Sequence, residues 1–304
     1  MIRAREGVHG ISTAMLVDAK PDLETTLTRE AVALHVEHYR PRDAARLALV
    51  MVHGFSAHCG LYRHVGAAFA ASGVAVTQFD CRGHGRSQGR RGHVDDFSDY
   101  LADLARVLIW ARQQDPKLPW ALLGHSLGGA ICLAFVLDEG RVEQPAGLVA
   151  VTPWLKLKMK ISAPKRMAGR VAARVCPTLT MPNGLRAEDV SRNPLVLANF
   201  DKDPLVHHVA SAGWFTTMLR AQARIRARAQ DLKVPTLLLL AGQDRIVANE
   251  ANRAFARSAG PIVEVRSYAD LFHEVFLEPE ADVVVADIAA WLRKYHYSTT
   301  AAKV

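Results

Sequence analysis

Five short runs of almost uninterrupted apolar residues set the tightest limit on how this chain can fold: LALVMV (47–52), VAVTQF (74–79), WALLG (120–124), GLVAV (147–151) and PTLLLL (235–240). A strand with one face in water alternates apolar with polar residues. A run without alternation belongs to a strand buried on both faces, which needs helices above and below the sheet. The intervening stretches can supply those helices. In FSDYLADLARVLIWARQQ, Tyr100, Leu104, Val107, Leu108 and Ala111 recur at spacings of three and four, the apolar face of a helix. Strand and helix in alternation predict an α/β fold with a mostly parallel central sheet and helices on both faces. Upstream, Val32, Leu34 and Val36 alternate with Ala33, His35 and Glu37, which predicts a half-buried strand near a sheet edge and an antiparallel entry into the sheet.

The alternation breaks between about Pro153 and Leu219, where Pro153, Pro164, Pro177, Pro182, Pro194 and Pro204 punctuate short apolar and basic pieces. An insertion over the sheet is expected there. Regular alternation resumes with PTLLLL, a helix around 249–258, a strand in PIVEVRSY and a closing helix near 281–295. The expected organisation is an N-terminal leader (1–30), a core in two parts (31–152 and 220–297), an inserted cap or lid (153–219) and a short tail (298–304). With half of 304 residues hydrophobic and 22% charged, the chain can bury a large core.

The strongest chemical signal is Gly124-His125-Ser126-Leu127-Gly128, a G-x-S-x-G pentapeptide between the apolar run WALLG and the helical stretch AICLAFVLDE. A nucleophilic serine needs a sharp strand-to-helix turn that exposes its hydroxyl, with a helix N-terminus near the developing negative charge. Asp244 directly follows PTLLLLAGQ, at the C-terminal end of a buried strand, where open parallel sheets assemble their sites. His273 follows the next strand, in SYADLFHEVF; Asp270 is the nearest rival acid but does not end a β run. The chain order Ser126, Asp244, His273, each after a separate strand, is that of the α/β-hydrolase triad, with His273 as base and Asp244 as its orienting acid. Acyl transfer also needs donors for the tetrahedral oxyanion. The backbone N–H of Leu127, after the nucleophile, and that of Phe55, in VMVHGFSAH after a buried strand, are the expected pair.

Other patterns lead elsewhere. His53, His58, Cys59 and His64 fit no common zinc spacing, so no metal is expected. Gly83-His84-Gly85 followed by Gly89 misses the dinucleotide fingerprint by one position, and no Walker A sequence occurs, so no cofactor is expected. The four cysteines are widely spaced and read as reduced, mostly buried thiols. No apolar run approaches the roughly 18 residues of a membrane span, and the first 20 residues lack the apolar region of a secretion signal. A cytoplasmic protein is expected.

The net charge of +8 suits an anionic partner. From Trp154 to Arg174 there are seven Lys or Arg, no Asp or Glu, and interleaved Leu155, Leu157, Met159 and Ile161, a composition that suits peripheral contact with an anionic membrane as well as an ordinary solvated face. Arg220, Arg224, Arg226 and Arg228 read as a solvated helix face; nothing beside them indicates nucleic-acid binding.

Taken together, VHGFSAHCGLY, DCRGHGRSQGRRGHVDDFSDYLADL, LLGHSLGGAI, SRNPLVLANFDKDPLVHH, LLLLAGQDRIV and LFHEVFLEP resemble the monoacylglycerol lipase and lysophospholipase group of α/β-hydrolases, from about residue 30 to 295. The resemblance implies a serine esterase or lipase acting on single-chain lipid esters, with Ser126, Asp244 and His273 as triad and Phe55 and Leu127 as oxyanion donors. A peptidase or small-ester carboxylesterase on the same triad is the alternative, since fold and triad do not fix the leaving group. A non-catalytic lipid-binding protein is the other class of reading.

Overall fold

The apolar runs become strands whose alternate residues feed two separate cores. In the computed structural model, which describes residues 19–301 apart from 30–31, 139–142 and 159–162, strands β1 (Leu23–Arg29), β2 (Val32–Tyr39) and β3 (Leu47–Val52) precede helix α1 (Arg63–Ala71), β4 (Val74–Phe79) and α2 (Ser98–Gln114). Then come β5 (Trp120–His125), α3 (Leu127–Leu137) and β6 (Gly147–Val151). Val50, Leu122, Leu148 and Leu238 face α2 and α3, while Leu49, Leu123, Val149 and Leu237 face the opposite layer. Every residue of β3, β4, β5 and β6 is buried, as the unbroken apolar runs require.

Between β6 and the next sheet strand lie α4 (Ala163–Val175), β7 (Thr180–Pro182), α5 (Ala187–Val190), α6 (Pro194–Asn199), β8 (Val209–Ser211) and α7 (Ala212–Ala227). β7 and β8 pair antiparallel as a small separate sheet, and α7 runs without a break across position 219. The main sheet resumes with β9 (Thr236–Ala241), α8 (Asn249–Ala259), β10 (Val263–Tyr268) and α9 (Ala281–Ala301). Its order is β1-β2-β4-β3-β5-β6-β9-β10, with β1 and β2 antiparallel at one end and every pair from β4 onward parallel. This is the mostly parallel sheet expected. Phe255 of α8 joins the core of α2 and α3, and Val284, Ile288 and Trp291 of α9 join that of α1, so helices cover both faces.

Two expectations are corrected at the start of the chain. The leader assigned to 1–30 contains β1, which pairs with β2 from Leu23↔His38 to Arg29↔Val32; residues 1–18 lie outside the described residues. With β1 outside it, β2 is more buried than the alternation predicts: on its polar face Ala33 and His35 are partly exposed but Glu37 is buried, accepting from Tyr39, Gln78 and Arg63, and on the face of Leu34 and Val36 the buried His38 packs edge-on against Trp110. The tail assigned to 298–304 continues α9 as far as Ala301, and 302–304 lie outside the described residues. The four cysteines are free, with Cys59, Cys81 and Cys132 buried and Cys176 exposed.

Candidate active site

Ser126 stands between β5 and α3 with φ 51° and ψ −110°, a conformation that only a turn fixed from both sides will hold. The fixing is by backbone. Ser126 N–H donates to Val151 O at 2.9 Å, and Ser126 O accepts from Trp154 N–H at 2.9 Å. The flanking glycines are required by space: a Cβ on Gly124 would lie 2.3 Å from Gly128 O, and one on Gly128 would lie 2.0 Å from Val52 O. Among the described residues, Ser56, Ser126 and Thr152 are the non-glycine positions with positive φ, and all three lie at this site.

His273 meets both expected partners. Its Nε2 lies 2.9 Å from Ser126 Oγ and its Nδ1 lies 2.8 Å from Asp244 Oδ2. The imidazole therefore donates from Nδ1 to the carboxylate and offers Nε2 to the hydroxyl, the orientation a general base needs. Asp244 Oδ1 accepts the N–H groups of Ile246 and Val247, both at 2.8 Å, so the acid is fixed by its own loop. Asp270, the rival in sequence, is exposed. Burial alone would push the Asp244 carboxyl up, but the facing His273 and these two N–H donors outweigh it and hold Asp244 below its ordinary value. For His273, burial pushes down, and the Asp244 charge outweighs it, leaving the imidazole above its ordinary value.

The loop after β3 passes directly over the serine, since a Cβ on Gly54 would lie 3.4 Å from Ser126 Cβ. His53 braces this loop, its Nδ1 donating to Gly54 O at 2.7 Å and its Nε2 accepting from Cys81 N–H at 2.9 Å. Phe55 follows, its ring stacked on Trp214 of α7 at 3.8 Å. Leu127 begins α3, where the first N–H groups have no partner within the helix. The other histidines of this stretch have separate partners: His58 meets Asp203 at 3.0 Å, and His64 Nε2 donates to Phe276 O at 2.8 Å.

The serine opens onto a cavity of about 1280 Å3, lined by the core loops and by the segment between β6 and β9, including Leu157, Val190, Leu195, Val206, Phe215 and Leu219. This exceeds the range of about 300–1,000 Å3 common for small-molecule sites. A family model described as serine aminopeptidase, S33, matches residues 43–280. The chain belongs to that family. Among its relatives, the chain is 32% identical to the monoacylglycerol lipase of Mycolicibacterium smegmatis over 84% of this chain and 90% of that one. It is 28% identical to the phospholipase YtpA of Bacillus subtilis over 83% and 97%. A soluble variant of the monoglyceride lipase of Saccharomyces cerevisiae, crystallised with a substrate analogue, superposes with a TM-score of 0.84 at 19% identity, covering 92% of this chain and 97% of that one. The fold is that of the α/β-hydrolases, and the chain is a serine hydrolase acting on esters.

Within this family fold, the site includes groups that the motifs did not reveal. His125, the variable residue of the pentapeptide, donates from Nε2 to His273 O at 3.1 Å, and Thr152 Oγ1 donates to the same carbonyl at 3.3 Å. Burial and the nearby His273 push His125 down to about 3, so it is neutral. Glu274 lies behind it, accepting from Tyr62 Oη at 2.9 Å. Burial raises its carboxyl to about 7 against the opposing pull of His273 and Tyr62. Lys158 Nζ donates to Asp244 O at 2.6 Å from the other side. Of these residues, His125 and Glu274 carried the signal of polar character beside a motif residue, whereas Thr152 and Lys158 did not.

Proposed function

We propose that Ser126, His273 and Asp244 are the catalytic triad of a lipase or esterase for single-chain lipid esters, with the N–H groups of Phe55 and Leu127 as oxyanion donors. Ser126 attacks the ester carbonyl while His273 takes its proton; His273 then protonates the departing alcohol, and water releases the acid from the acyl-enzyme. Asp244 orients the imidazole and stabilises its charged form. The observation that carries this reading is the Ser126–His273–Asp244 hydrogen-bond chain opening onto a large cavity lined by apolar side chains. The names of the relatives, a monoacylglycerol lipase and a phospholipase, support a monoacylglycerol or a lysophospholipid as substrate.

The insertion reads as a cap over this cavity and as a peripheral membrane contact. Val175, Leu179 and Leu197 are exposed, and Lys156 and Arg174 are exposed on the same segment; Met159, Lys160 and Ile161 of the basic stretch lie outside the described residues. Exposed apolar groups among cations suit an anionic lipid surface. Among the described residues no helix is long and apolar enough to cross a membrane.

The test is hydrolysis of p-nitrophenyl acetate through laurate, 1-monoacylglycerol, lysophosphatidylcholine and a set of peptide amides by the wild type and Ser126→Ala. The expected result is ester hydrolysis greatest on a single-chain lipid, reduced by a factor of order 10⁶ in the variant. Equal rates for the two proteins would remove the triad, and faster cleavage of the amides would favour the peptidase reading.

A further inference from the structure

Both backbone neighbours of His273 are held by groups outside the triad. Phe272 N–H donates to Glu278 Oε2 at 3.2 Å, and Glu274 N–H donates to Val190 O at 3.0 Å. Each contact leads to one short stretch, Glu188 to Asn193, which comprises most of α5 and its link to α6 and is remote in sequence from both Asp244 and His273.

Glu278 is the centre of the arrangement. Its buried carboxylate accepts the Ser191 hydroxyl at 2.6 Å and Arg192 N–H at 2.9 Å on Oε1, and on Oε2 it accepts Arg192 Nε at 3.0 Å beside Phe272 N–H. Two donors on each oxygen, one of them a guanidinium, satisfy a charge that would otherwise be costly to bury. Arg192 continues to Glu280 at 2.6 Å, and Asn193 Nδ2 donates to Leu277 O at 2.8 Å. On the other side Arg245, the residue after Asp244, donates to Glu188 O at 3.0 Å and lies 4.5 Å above the Phe272 ring. The stretch thus touches the loop that carries the acid as well as the loop that carries the base. Ser191, Arg192 and Glu278 do not line the cavity, so their effect must pass through these loops.

We propose that residues 188–193 form a strap that positions His273 between Ser126 and Asp244, with Glu278 as its hub and Ser191 and Arg192 as its clasps. This rests on the triad reading above. The strap explains two otherwise unused pieces of sequence at once, SRN in the insertion and the second glutamate of LFHEVFLEP, Glu278, since each supplies the partner of the other.

The test uses the full chain and p-nitrophenyl acetate, an ester too short to depend on the acyl cavity. Arg192→Met and Ser191→Ala should lower kcat by roughly 10- to 100-fold, as small misplacements of a reacting group do, with KM within about twofold. The rate of fluorophosphonate labelling should fall in parallel. Arg192→Lys should recover part of the loss, because an ammonium can meet one carboxylate oxygen but not reproduce the fork. Glu278→Gln should lose more; if it does not fold, the Arg192 and Ser191 variants decide alone, since they leave the Phe272 bond to Glu278 in place. Unchanged kcat in both of those variants, or a loss confined to KM, would overturn the strap. Ser126→Ala run alongside separates the two readings: activity surviving in it ends the triad assignment, whereas activity lost there and retained in the strap variants ends only the strap.

Discussion

In the sheet, β3 to β6 bury every residue on both faces, whereas in the segment between β6 and β9 helix α4 leaves Met167, Val171 and Val175 exposed at successive four-residue steps. The difference separates two ways of building with apolar residues. Those of the sheet are enclosed by covalently continuous helices, so they contribute stability through burial and can hold the strained turn at Ser126. Those of α4 meet no such layer, and they are of use only where a ligand or a lipid surface reaches them. The segment is itself divided. Its 188–193 stretch is tied by charged and backbone hydrogen bonds to the loops of Asp244 and His273, and Trp214 of α7 is buried against Phe55 with its Nε1 donating to Tyr100 Oη at 3.1 Å. α4, the turns around it and α6 carry the exposed groups.

The comparison can be broken most sharply in the core. Asp244→Asn keeps the shape of the site but removes the charge that favours the correct imidazole, and it should lower kcat by about 10⁴-fold. The pH profile makes the sign explicit. In the proposed triad His273 must be neutral to act as base, and Asp244 holds it above its ordinary value, so wild-type kcat/KM should fall with decreasing pH through a midpoint above about 6.5. In Asp244→Asn burial is opposed only by the weaker pull of Glu274, and the midpoint should move below the wild-type one. A midpoint that does not move would show that the facing carboxylate does not control the base.

Stability gives the next contrast. Leu122→Ala, in a fully buried strand, should cost about 2–5 kcal/mol in denaturant unfolding, whereas Val175→Ala, 80% exposed, should stay within about 0.5 kcal/mol. Comparable losses at the two positions would mean that α4 is packed as the sheet is. The smallest effect concerns the surface. Binding to anionic vesicles in a sedimentation assay should weaken with added salt and with a double Val175→Ser, Leu197→Ser change, while hydrolysis of p-nitrophenyl acetate stays as it was. Binding that is absent, or indifferent to salt, would remove the membrane reading.

Much of the core was legible because its signals are local. Apolar runs without alternation can only be two-sided strands, and Gly124 and Gly128 flank a serine because a turn that tight has no room for a Cβ. The edge of the sheet was less legible. Leu23, Thr25 and Leu27 of β1 alternate too weakly to stand out from a polar leader, and nothing in β2 announces that Glu37 and His38 would be buried, since that depends on Arg63, Gln78 and Trp110 arriving from elsewhere. The chain order of Ser126, Asp244 and His273 pointed to the site. The proposed acid is Asp244 rather than Asp270, because Asp244 lies at hydrogen-bond distance from Nδ1 of His273 and Asp270 is exposed.

By itself, then, the sequence determined the layers of the fold, the turn that exposes Ser126 and the strand ends from which an acid and a base emerge, because each is written in the spacing of neighbouring residues. Only the tertiary structure decided what surrounds them: the contact of His125 and Thr152 with the His273 carbonyl, and the meeting of Ser191 with Glu278 across 87 positions of chain. Such partners have no period in sequence. A hydrogen bond needs a donor and an acceptor at one distance in space, and a chain of this length offers far more candidate pairs than the fold brings together.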